Sequence, residues 1–223
     1  MLMFNGFSEK TPEFFWELVF NNDRTWLHEH KEEFDRLLNR PLKELAEETA
    51  RLLAERYPLM APSAHVSRIW RDSRRLFGRP PLKEEMWFEI RSDNAADNSA
   101  TFYFVIKPAG IGWGMGFWCA EAAQMEHFRD SIDANPAEFE RLAEGIAKMK
   151  GYRVEGPEYK RKKREFGNAT DEWYNRKGVS VNHSEDFGEA ATSPNLPAML
   201  ADEFSALMPM YDYLLQHCRS DID

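Results

Sequence analysis

Between residues 67 and 83 the chain reads SRIWRDSRRLFGRPPLK. Six cations, Arg68, Arg71, Arg74, Arg75, Arg79 and Lys83, stand there against one acid, Asp72. Their net +5 belongs to a chain of net -9, so the remaining residues carry -14. A guanidinium is a planar fork that grips carboxylate or phosphate at two points, each charge-assisted bond being worth about 1.5–3 kcal/mol. Positive charge gathered on a repulsive background suits a bounded anion site better than a broad nucleic-acid face. The expected site comprises Arg68, Arg71, Asp72, Arg74 and Lys83, and its expected partner is a small phosphorylated or carboxylated ligand.

Within that site Asp72 orients the guanidiniums or, as a lesser role, serves as a general base; no other catalytic residue suggests itself. On a strand, Arg68, Trp70, Asp72 and Arg74 share one face. On a helix, Arg68, Arg71, Asp72 and Arg75 do so. Either geometry sets Asp72 among arginines. Two other readings compete. In one, the arginines simply lace the sheet to acidic helices, with no ligand. Alternatively the stretch combines with a second basic run, 160–164 in YKRKKREF, into an interaction module that docks RNA or an acidic protein.

Other segments carry weaker chemistry. The glycines of GIGWGMG, at 112, 114 and 116, do not match G-x-G-x-x-G and no βαβ unit follows, so a bulged strand is expected rather than a nucleotide loop. HEHKEE places His28 and Glu32 four apart, but an exposed helical face is the better reading and no metal is expected. NHSED, with His183, Ser184, Glu185 and Asp186, lacks the G-x-S-x-G elbow and reads as a loop. Cys119 and Cys218 are far apart and outside any C-x-x-C pair, which excludes a disulfide scaffold and a structural zinc site. Cys119 in FWCAE is expected to be buried and inert.

The elements that must position the arginines follow from hydrophobic period. In SEKTPEFFWELVFNN, Thr11 caps, Pro12 opens the helix, and Phe14, Phe15, Leu18 and Val19 form its stripe until Asn21 and Asn22. Trp26, His30, Phe34, Leu37 and Leu38 recur at helical spacing, and a third helix carries Leu42, Leu45, Thr49, Leu52 and Leu53 up to Pro58. MWFEIRS and TFYFVIK alternate and are aromatic, so they read as a hairpin, with GIGWGMGFW as a further strand. AEAAQMEHFRDSI and the segment opened by Asn135 and Pro136 read as helices. YRVE and VSVN read as short strands, and SPNLPAMLADEFSALMPMYDYLLQHC as a last helix broken or kinked at Pro209. The predicted fold is α+β: a central, mainly antiparallel sheet with N-terminal and C-terminal helices packed on it. A single domain over 1–223 is expected, helical at 8–57, β-rich at 65–118, helical at 120–149, mixed at 150–192, with the last helix at 193–218.

Composition is that of a globular chain, 43% hydrophobic and 30% charged over 223 residues, long enough to bury a sizeable core. No run approaches the ~18 apolar residues of a membrane span, and MLMFNGFSEK lacks the features of a signal peptide. The expected location is therefore cytoplasmic, without membrane association. The acidic background argues against nucleic acid as a general partner, and no cofactor is implied.

R-x-x-R-D-x-R, standing here as Arg68, Arg71, Asp72 and Arg74 and followed by Pro81 and Lys83, resembles the signature of the bacterial domain-of-unknown-function family 2461. Further matching pieces are FNGFS, NNDRTW with Asn22 and Trp26, Lys31, Pro41, GMGFW, Arg129, REFG and the Pro-containing last helix. The resemblance implies an undivided domain of this length whose activity is unassigned. The family pattern continues with Phe, Asp or Asn, Lys and Tyr where this chain has Arg75, Gly78, Arg79 and Leu82. If the missing acid or phenol transfers protons in relatives, this member binds a ligand or performs altered chemistry.

Overall fold

The computed structural model describes residues 3–95, 98–117 and 119–218 and, of Arg75, the backbone alone. Trp118, in the GMGFW segment, lies outside the described residues. The fold is α+β, with six strands in one antiparallel sheet of order β1-β2-β3-β4-β6-β5. The chain divides into two compact units. The first holds the residues up to Ile90 together with Tyr103–Gly112 and Glu185–Asp202; the second holds Arg91–Phe102, Trp113–Ser184 and the residues from Glu203 onward.

In the first unit, α1 (Thr11–Asn21) has Pro12 in its opening turn, where the missing N–H costs nothing. It buries Phe14, Phe15 and Leu18. Thr11 is not its cap, as the sequence suggests. The N-cap is Lys10, and the Thr11 hydroxyl donates instead to the Leu37 carbonyl at 3.1 Å. The helix expected through Trp26, His30 and Phe34 is also broken, into α2 (Arg24–Glu29) and α3 (Lys31–Phe34), because His30 leaves helical geometry and stacks on Trp26 at 4.1 Å. His28 and Glu32 are thus on separate helices. A wide π-type turn, Asp35–Asn39, leads into α4 (Arg40–Arg56), which buries Leu42, Leu45, Ala46, Thr49, Ala50 and Leu53 at three- and four-residue spacing and lies against β1 (Pro62–Val66).

β2 (Met86–Ser92) and β3 (Thr101–Lys107) bury alternate residues, as the period of a strand requires. Phe88 stacks on Phe104 at 5.4 Å, Phe104 on Phe7 at 6.2 Å, and Phe7 meets Phe4 edge-on at 5.3 Å. β4 (Gly110–Gly116) is buried along almost its whole length, and a short α8 (Glu189–Thr192) precedes the last helix.

The second unit centres on α5 (Ala122–Ala134), opened by a capping box between Glu121 and Gln124, and α6 (Pro136–Ala147). β5 (Arg153–Glu155) pairs antiparallel with β6 (Ser180–Asp186), Val154 opposite Val181. α5, α6 and α7 (Asp171–Tyr174) share an aromatic core in which Phe139 meets Phe128 at 5.3 Å and Trp173 at 5.7 Å, both edge-on. α9 (Leu196–His217) runs through Pro209 without interruption; within this unit its Phe204 and Tyr211 sandwich Phe102 at 4.9 and 4.4 Å.

Two further expectations are corrected. His183, Ser184, Glu185 and Asp186 lie on β6 rather than in a loop, so adjacent side chains alternate between faces, and His183 stacks on Trp113 at 4.4 Å. Cys119 is exposed, because its segment has left β4 and not yet entered α5. Cys218 is the buried thiol, and burial pushes its pKa up to about 12.

Candidate functional site

The arginine stretch is neither strand nor helix but a loop pinched shut at its base. A single antiparallel bridge pairs Trp70 with Leu82. The Arg71 N–H donates to the Pro81 carbonyl at 2.8 Å, and the Lys83 N–H to the Ile69 carbonyl at 2.8 Å. In this register the N–H and C=O of Leu82 point away from the ladder. Asn22, just past the end of α1, satisfies both: its Oδ1 accepts the Leu82 N–H at 2.9 Å and its Nδ2 donates to the Leu82 carbonyl at 3.3 Å. Ile69 and Leu82 are buried and anchor the base in the core of the first unit.

Beyond the pinch, short-range polar bonds shape the tip. Asp72 accepts the Arg74 N–H at 3.0 Å, capping a one-turn 3-10 helix, Ser73–Arg75. The same carboxylate clamps the Arg74 guanidinium, Oδ1 to Nε at 3.1 Å and Oδ2 to Nη2 at 2.9 Å. That bidentate bond holds the Arg74 proton more tightly than usual. The Arg79 N–H then closes a turn onto the Leu76 carbonyl at 2.8 Å, with positive φ at both Phe77 (46°) and Gly78 (81°), the pattern of a type I′ turn.

Folded back in this way, the loop lines a cleft of ≈ 700 Å³ in the first unit. All five residues expected from the sequence, Arg68, Arg71, Asp72, Arg74 and Lys83, line it. Arg24 from α2 adds a fifth cation, and Trp70 and Trp87 supply aromatic wall. Arg71 is three-quarters withdrawn from solvent; its Nε donates to the Leu82 carbonyl at 2.9 Å and its Nη2 stands 3.5 Å from the Glu84 carboxylate. Lys83 lies over the Trp87 ring, 5.5 Å from its centroid. Partial burial, then the charges of Arg68 and Arg71, push its pKa down against the opposing pull of Glu85. Among the described residues, the exposed Arg68 guanidinium makes no hydrogen bond and no ion pair.

Asp72 therefore stands as the orienter of Arg74, with both carboxylate oxygens engaged, a poor arrangement for a general base. Arg79 is exposed and outside the cleft lining, and the Arg75 side chain lies outside what the structure describes. The second basic run, 160–164, belongs to the other compact unit. Arg24 and Trp87 escape sequence reasoning because each sits within an ordinary amphipathic element. The Asn22 clamp draws the end of α1, with Arg24 just beyond it, to the loop, and backbone and hydroxyl bonds between Ser67 and Trp87 bring Trp87 to its start. Among the described residues no group of three or more His, Cys, Asp or Glu side chains is placed to hold a metal.

A family model described as "Conserved hypothetical protein (DUF2461)" matches residues 10–213, nearly the whole chain. No curated protein matches it. No described helix is long and apolar enough to cross a membrane.

Proposed function

Because the chain belongs to DUF2461, a family whose description names no activity, its function must be argued from the cleft, and we propose that it binds a small anionic ligand, phosphorylated or carboxylated, there. The observation that carries this reading is Arg68, whose guanidinium is unspent among the described residues and whose charge, with that of Arg71 and after partial burial, lowers the pKa of Lys83. Bringing an anion among them relieves that repulsion and gives each cation a partner. Arg68 and Arg71 are the gripping forks, Lys83 a point charge on the aromatic wall, and Asp72 holds Arg74 fixed at the cleft. The walls of Trp70 and Trp87 suit a ligand with an apolar or ring-shaped portion as well as its charge.

A thermal-shift screen of phosphorylated metabolites and organic acids tests this. A ligand at one hundred times its Kd stabilises by about 2.7 kcal/mol, a rise of roughly 5–11 °C in a chain of this size. The shift should vanish in Arg71→Ala. If no compound stabilises the protein, or the shift survives that substitution, the reading is wrong. A steep fall of polyanion affinity with salt would instead favour docking of RNA or an acidic protein.

A further inference from the structure

Arg129 lies on α5 in the second unit with only 5% of its surface exposed, and its Nη1 is buried without a hydrogen-bond partner. Among the described residues no acid pairs with it. Glu126, Asp130 and Asp133 flank it along the helix, and none is within ion-pair distance; Asp133, one turn on, has both carboxylate oxygens bonded elsewhere. Its Oδ1 takes Arg164 Nη1 at 2.5 Å and its Oδ2 the Tyr174 hydroxyl at 2.8 Å. A guanidinium withdrawn from water without a counter-charge is unfavourable, and folded proteins seldom leave such a donor unspent. Two more cations approach the aromatic ring that Arg129 meets. Around the Tyr159 ring centroid stand Arg129 Cζ at 5.5 Å, Lys163 Nζ at 4.8 Å and Lys177 Nζ at 5.6 Å. One aromatic quadrupole offsets little of the repulsion among three like charges.

The convergence is built into the backbone. Asn175, 6% exposed, accepts the Lys163 N–H at 2.8 Å on its Oδ1, donates from Nδ2 to the Arg164 carbonyl at 2.9 Å, and accepts the Tyr159 N–H on its own carbonyl at 3.1 Å. The Lys177 N–H is held by the Pro157 carbonyl at 2.7 Å. Asn175, two residues before Lys177, thus ties down the chain at Tyr159 through its backbone carbonyl and at Lys163 through its side-chain amide.

We propose that Arg129, Lys163 and Lys177 form a second anion site, in the second unit, that takes the phosphoryl group of a small phosphorylated ligand. Arg129 supplies the buried fork, and the exposed lysines supply point charges from the solvent side. Three cations match a phosphoryl dianion better than a carboxylate, which brings a single charge. The proposal is independent of the cleft in the first unit.

Calorimetric titration with inorganic phosphate and pyrophosphate, at fixed ionic strength and on the full chain carrying Arg68→Ala and Arg71→Ala, isolates the second site. One equivalent of pyrophosphate should bind, Lys163→Ala with Lys177→Ala should weaken it at least tenfold, and Arg129→Met should abolish it. Both lysines are exposed, so their double variant remains decisive even if Arg129→Met does not fold. No binding in the Arg68→Ala, Arg71→Ala chain, or binding unchanged by the double lysine substitution, would overturn the proposal. Failure of the cleft reading looks different: the native chain and the Arg68→Ala, Arg71→Ala chain would then bind alike.

Discussion

Asn22→Ala should loosen the arginine loop at its base. Leu82 is completely buried, and among the described residues its N–H has Asn22 Oδ1 as its partner. Leaving a buried donor unsatisfied costs about 1–3 kcal/mol. The Leu82 carbonyl is less exposed to the change, because Arg71 Nε still reaches it at 2.9 Å. Asn22 also has φ 21°, a region alanine tolerates less well than asparagine. A total near 2–3 kcal/mol follows, and since 1 kcal/mol moves the Tm by about 2–4 °C at this size, the expected fall is roughly 4–12 °C. Urea unfolding and calorimetry measure it, with an unchanged urea slope showing that the native state is otherwise intact. Asn22→Gly separates the causes, since glycine accepts the backbone angle but cannot make either bond. Both variants should be destabilised and should bind anions more weakly, because the Arg71 fork shares the Leu82 carbonyl. An Asn22→Gly protein as stable as the parent would refute the clamp.

Other outcomes follow from the same geometry. Lys83 has a folded pKa below its ordinary 10.5, so between those two values the unfolded chain binds more protons and stability rises with pH; anion affinity should fall over the same alkaline interval, and in Lys83→Met both trends should flatten. Alkylation of the native protein should modify Cys119 and spare Cys218, with the second thiol reacting only in denaturant; equal native rates would contradict the burial of Cys218. Gly116→Ala should destabilise by about 1–3 kcal/mol in chemical unfolding, because its Cβ would lie 2.5 Å from the Ser180 Cα at φ 155°.

Much of this architecture is legible in the chain because its periods are clean. The stripe of α4, the alternation of β2 and β3 and the Pro12 start of α1 each declare themselves. Where local chemistry competes with period, the reading fails. His30 stacks on Trp26 and breaks a helix that spacing alone would continue; β1, PSAHV, has no alternating apolar face to announce it. The arginine stretch is a third case, since its composition gives the residues of the cleft but not its geometry. Strand and helix both fit the composition, whereas the loop depends on a bridge twelve residues apart, Trp70 to Leu82, and on an asparagine sixty residues before Leu82. The role of Arg129 is hidden for a related reason: the family resemblance marks the residue, but its spacing makes it one charge among many on an amphipathic helix, and burial without an acid shows only in the structure.

The most direct test of the cleft is titration with inorganic pyrophosphate at constant ionic strength, in a Lys163→Ala, Lys177→Ala background, comparing Arg68→Ala with Arg79→Ala. Both changes remove one exposed cation from the same loop, but Arg68 lines the cleft and Arg79 does not. Affinity should drop at least tenfold for Arg68→Ala and stay within about twofold for Arg79→Ala. Equal losses would mean that only the loop's diffuse charge attracts anions, and no loss in either would mean that the cleft binds none.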